Sequence, residues 1–168
     1  MKRIVSIIIM LAIASISVAF MNGCSRGSSS AEERAQNFEM RVFELTNEER
    51  AKHNLQPFIW HDELAEVARA HSLDMMQNDF LRHRGSNNFS ARERIEGVAG
   101  IIGARSWSEN IAAGQATPED VVRSWMDSPH YRANIFSFAT HVGVGFVARI
   151  GDATHPTYWT QKFIGLGL

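Results

Sequence analysis

The chain of 168 residues, 45% hydrophobic and 21% charged, has room for one compact domain with a real core. Its 17 Lys and Arg against 18 Asp and Glu give a net charge of −1, which excludes the strong basic field of a general nucleic-acid binder. A single cysteine excludes an internal disulfide framework and any multi-cysteine zinc or iron–sulfur site.

Lys2 and Arg3 precede a charge-free apolar stretch over residues 4–21, followed by Asn22, Gly23 and Cys24, which is the pattern of an export signal and places the protein outside the cytoplasm. Three endings fit it. The signal could be cut after Ser17-Val18-Ala19 and the protein secreted, or the 18-residue apolar stretch could stay as a marginal membrane span. In the third, Met21-Asn22-Gly23-Cys24 resembles the box that ends a bacterial lipoprotein signal, with Cys24 as the lipidated residue. The lone thiol, placed after Gly and before Ser25-Arg26-Gly27-Ser28-Ser29-Ser30, has little reason to exist as a packing residue, so the lipoprotein reading is preferred. The expected organisation is an export signal over 1–23, a lipidated cysteine with a flexible linker over 24–31, and one domain over 32–168. The membrane, reached through the lipid, is then a partner, and processing leaves a mildly acidic domain on a tether.

Along the domain, residues 31–53 are rich in Glu, Arg, Ala and Gln, with Phe38, Val42 and Leu45 on one helical face. After Pro57 a second helix is expected over 62–78, capped by Asp62, with Leu64, Val67, Ala68, His71 and Met75 facing the core. A Gly-containing loop around residues 85–88 leads to a short helix over 91–98, then to loop and strand up to Trp107. Thr117-Pro118-Glu119-Asp120 starts a further helix with Thr as cap, and Ser128-Pro129 starts another. Residues 141–150 and 157–164 are β-branched and aromatic runs separated by Gly151-Asp152-Ala153, an antiparallel hairpin signal. This order predicts an α+β fold, helices layered on a small antiparallel sheet.

The sequence has no H-E-x-x-H, G-x-S-x-G, Walker-type or G-x-G-x-x-G motif, and Cys24 lies too close to the signal to serve as a nucleophile in a folded pocket. What remains is a scattered polar set: His71, His83, Glu109, His130, Tyr131 and His141. The surrounding motifs carry a resemblance. Asn47-Glu48-Glu49-Arg50, His71-Ser72-Leu73-Asp74-Met75, Phe80-Leu81-Arg82-His83, Trp107-Ser108-Glu109-Asn110-Ile111-Ala112, Trp125-Met126-Asp127-Ser128-Pro129 with Arg132-Ala133-Asn134-Ile135, Gly143-Val144-Gly145 and Tyr158-Trp159-Thr160-Gln161 follow the order of the bacterial branch of the CAP, or SCP-like, superfamily.

That resemblance spans about residues 38 to 164 and implies an α-β-α sandwich with a shallow cleft lined by two histidines and one or two glutamates, where some members hold zinc. Carried over by motif, the first histidine is His83 and the first glutamate Glu109. At the second histidine the chain departs from S-P-x-H-R: Tyr131 takes the expected place and His130 stands one residue earlier, a turn of about 100° on a helix. His130 stays a candidate because a helix start is irregular and its positive end favours the neutral, ligating ring. Zinc, if bound, would use His83 and His130. A second glutamate would fall near Ser128, where no carboxylate stands; Asp127 is adjacent. On residue type alone His71 reads as a structural core histidine, His141 as a surface strand residue, and Trp107, Trp125 and Trp159 as packing anchors. Catalytic zinc usually has three protein ligands, and only His83 is a firm one here. The expectation is therefore a ligand-binding or envelope-interaction module, with an envelope, lipid or protein ligand. A metal-dependent, peptidase-like hydrolase using the same cleft is the alternative.

Overall fold

The computed structural model describes residues 24–98, 100–149 and 154–167, with side chains from Ser30 onward and excluding that of Val98. The expectations for residues 1–23 and for the turn at 151–153 lie outside the described residues. Nine elements follow in the order α1 (Cys24–Lys52), β1 (Ile59–Trp60), α2 (Asp62–Gln77), α3 (Ala91–Val98), β2 (Ser106–Ala113), α4 (Pro118–Asp127), α5 (Pro129–Ile135), β3 (His141–Ala148) and β4 (Thr157–Gly165).

Helix α1 starts seven residues before the expected position, so the Gly–Ser stretch read as a flexible linker is helical along its backbone. Glu, Arg and Ala from Ala31 onward supply the propensity, and Gly or Ser costs least near a helix start. Asp62 is not the cap of α2. His61 holds that position without a side-chain bond, and Asp62 instead accepts the Trp60 indole N–H at 2.8 Å. Thr117 does cap α4, accepting from the Asp120 amide at 3.1 Å.

The four strands lie in the order β1-β3-β4-β2. Pairs β3–β4 and β4–β2 are antiparallel as expected, but β1 pairs parallel with β3, so the sheet is mixed. Two residues are too few to show an alternation, and the partner of β1 lies some 80 residues further on, which is why the sequence alone hid this strand.

Val42, Val121, Trp125, Val144 and Trp159 form the main core, between the sheet and α1 and α4. Helix α2 covers the other face, where Gly143 and Gly145 point at it. A Cβ on Gly143 would stand 2.3 Å from the Ala65 amide nitrogen, and one on Gly145 2.1 Å from that of Arg69. Only glycine allows this approach of helix backbone to strand. Trp125 and Trp159 are buried anchors, whereas Trp107, at the edge, is 39% exposed under the Arg92 guanidinium. His141 is half-buried rather than superficial, its ring 5.6 Å from that of His61.

Candidate functional site

Cross-strand pairing sets Gly143, Lys162 and Glu109 side by side on β3, β4 and β2, and residues so paired share a face. That face lies under α2. Asn110, the next residue, points to the opposite face and meets Gln161 there. Glu109 is therefore sealed below α2 and its carboxylate is fully engaged. Lys162 Nζ donates to Oε2 at 2.5 Å, Arg94 Nη2 from α3 donates to the same oxygen at 2.8 Å, and His83 Nδ1 meets Oε1 at 2.9 Å.

Burial alone would raise the Glu109 carboxyl, but Lys162 first, then the His83 bond and the other nearby cations, hold it well below the usual carboxylate range. Burial lowers the Lys162 ammonium to about 8 despite the attraction of Glu109. An ionised carboxylate only accepts, so His83 donates to it from Nδ1. Its side chain is 46% exposed.

The loop bearing His83 is held from below. Arg94 donates to the His83 and Phe89 carbonyls at 2.9 and 2.6 Å, and Asp74 accepts the Ser86 amide at 2.9 Å. His71 Nε2 donates to the Arg82 carbonyl at 3.2 Å and stands 3.8 Å from Glu109. Tyr131 of α5 forms the facing wall, its ring 6.2 Å from the His83 ring. Burial, with Glu109 nearby, raises the Tyr131 phenol, which stays neutral. Asn134 fixes α5 to β2 through the Glu109 carbonyl at 3.3 Å and the Asn110 side chain at 2.8 Å.

The structure thus brings His83, Glu109 and Tyr131 together. His130 is exposed, with its ring 5.7 Å from that of Tyr131, and Tyr131 is the ring that meets His83. Asp127 is exposed at the end of α4. Sequence reasoning missed Arg94 and Lys162. A lysine within a strand buried along its whole length was the available signal, because such a charge persists only when paired.

His71 is the core histidine expected, yet it also abuts the site. Burial chiefly lowers its pKa, to about 4, outweighing the pull of Glu109. Below pH 6.5 the unfolded chain takes up a proton that the native state refuses until about pH 4, so acid favours unfolding. Unfolding free energies from urea titrations are expected to fall between pH 7 and pH 5, by up to about 1.4 kcal/mol per pH unit in this window. In His71→Asn that fall should be smaller, and equal slopes would overturn the assignment.

The donor set does not fit zinc. Both Glu109 oxygens face N–H donors, two fixed cations crowd the carboxylate, and His83 commits Nδ1 to it. Among the described residues no three His, Cys, Asp or Glu side chains form a group able to hold a metal ion.

A small mixed sheet with helices on both faces is the fold of the CAP class. The chain belongs to this family, described as the cysteine-rich secretory protein family, whose pattern it matches over residues 43–163. It is 37% identical over 139 residues to the uncharacterized protein YkwD of Bacillus subtilis, covering 82% of this chain and 51% of that one. To the uncharacterized membrane protein YlbC of the same organism it is 34% identical, covering 75% of this chain and 34% of that one. The chain therefore spans about half or less of the curated relatives it matches. Among solved structures, an extracellular protein with an SCP domain from Bacillus anthracis superposes with a TM-score of 0.72 at 27% identity, over 82% of this chain and 43% of that one. An outer surface protein of Borrelia burgdorferi shares the fold, with a TM-score of 0.66 at 19% identity, over 76% of this chain and 92% of that one.

Proposed function

We propose that this protein is an extracytoplasmic module, tethered to the membrane through Cys24, that presents the face formed by His83 and Tyr131 to a ligand or partner in the cell envelope. The observation that carries this reading is the engagement of Glu109. With both oxygens bonded to Lys162, Arg94 and His83, the carboxylate serves as an internal scaffold that orients His83. An imidazole edge and a phenol remain available to a visitor as a recognition surface. The N-terminal export pattern supports a place outside the cytoplasm, as does the likeness to an extracellular SCP-domain protein. Among the described residues no helix is long and apolar enough to cross a membrane.

Palmitate incorporation in living cells tests the tether: labelling is expected in the wild type and absent in Cys24→Ser. For the recognition face, His130→p-benzoylphenylalanine places a photo-crosslinker beside Tyr131 in intact cells. A discrete envelope adduct that disappears when His83→Ala is added is the expected result. Its absence would overturn the reading, and zinc binding by calorimetry that His83→Ala removes would overturn it in favour of the metal-dependent alternative.

A further inference from the structure

We propose that the cavity between the C-terminal end of α1, β1 and the start of β3 is a second binding site, one that takes a small organic anion with an apolar body. It lies at the β1 edge of the sheet, whereas Glu109 lies on β2 at the other edge, so the inference is independent of the cleft. Its volume of about 650 Å³ suits a small organic ligand. Leu55, Pro57, Ile59, Ala139 and Leu166 give it apolar walls, and among the described residues no Asp or Glu lines it. Ile59, 57% exposed, and Phe138, 96% exposed, stand at its lip, where large apolar side chains otherwise gain nothing from water.

The polar feature is Arg50, only 4% exposed. Its guanidinium lies 3.7 Å from the Phe58 ring centroid and donates to three neutral acceptors: Nε to the Gln56 carbonyl at 2.7 Å, and Nη1 to the Ile135 and Ser137 carbonyls at 2.6 and 3.0 Å. Among the described residues no carboxylate pairs with it, and Nη2 makes no hydrogen bond. A buried positive charge without a counter-ion is costly, and arginine keeps its charge. An anion entering the cavity would supply that counter-ion, while the walls would bury its apolar body. His141, which also lines the cavity, is held towards its neutral form by burial and by His61, so Arg50 is the site's positive charge.

Two fluorinated probes of one shape separate charge from greasiness: 4-(trifluoromethyl)benzoate and the neutral 4-(trifluoromethyl)benzamide. Binding is read by ligand-observed fluorine NMR on the full chain in lipid nanodiscs, with empty nanodiscs as background. The benzoate is expected to bind at least tenfold more tightly than the benzamide. Arg50 holds three carbonyls, so its replacement would also report on folding; the exposed Ile59 serves instead. Ile59→Glu should weaken the benzoate at least tenfold and spare the benzamide, while Ile59→Lys should not weaken the benzoate. Equal binding of the two probes, no binding of either, or indifference of the benzoate to Ile59→Glu would overturn the proposal.

Discussion

Replacing Glu109 with Ala is expected to destabilise the protein by about 3–5 kcal/mol, because it strands Lys162 and Arg94 as buried cations facing each other without a carboxylate. Lys162→Met should cost much less. Glu109 would keep Arg94 and His83 as donors, and a methionine chain fills the channel that the lysine stem occupies. The asymmetry follows from stoichiometry: two fixed cations share one carboxylate, so either cation is more dispensable than the anion. Urea unfolding of both variants at pH 7 measures it. Equal losses would mean that Lys162 is as indispensable a counter-ion as Glu109 itself.

The second large effect concerns backbone rather than charge. In Gly145→Ala the new Cβ would lie 2.1 Å from the Arg69 amide nitrogen and 2.2 Å from the Ala68 carbonyl carbon. Neither is a flexible side-chain end, so α2 must lift from the sheet or the strand must bend. Overpacking usually costs about 1–3 kcal/mol, and a backbone clash belongs at or above the top of that range. Gly97→Ala in α3 meets nothing within 4 Å and replaces a poor helix former, so it should be neutral or stabilising by up to about 1 kcal/mol. Thermal unfolding of the two variants side by side checks the contrast, and a mild effect at position 145 would show that the seam has slack.

The helices and the strands β3 and β4 were legible because each carries its own period or punctuation: the Pro after Thr117, the apolar stripe of α2, the β-branched run from His141; β2, expected to end at Trp107, runs on to Ala113. Glu109 and His83 were legible through motif order. Whether His130 or Tyr131 meets His83 was not, since it depends on where α5 begins, and Asn134 fixes that by bonding to β2. Arg94 and Lys162 were hidden for a related reason. One sits in a short exposed-looking helix and the other in an apolar run, and only strand pairing puts both beside the same carboxylate. The cavity at Arg50 assembles from three separate stretches of chain, so no local pattern could have announced it.

The two glycines of β3 act as a vernier scale. Two strand residues advance about 6.7 Å, while the four helix residues that separate Ala65 from Arg69 advance about 6.0 Å. Two marks on such rulers can coincide closely; a third drifts out of step by more than an ångström. At that third position β3 carries Val147 and needs no glycine, and the half-buried valine side chain finds room beside Leu73. The helix is thereby indexed to one place along the sheet, as a notch holds a dial. Sliding it by a turn would bring Val147 under the close-approach seam. The reach of His71 towards Glu109 is therefore machined into the strand.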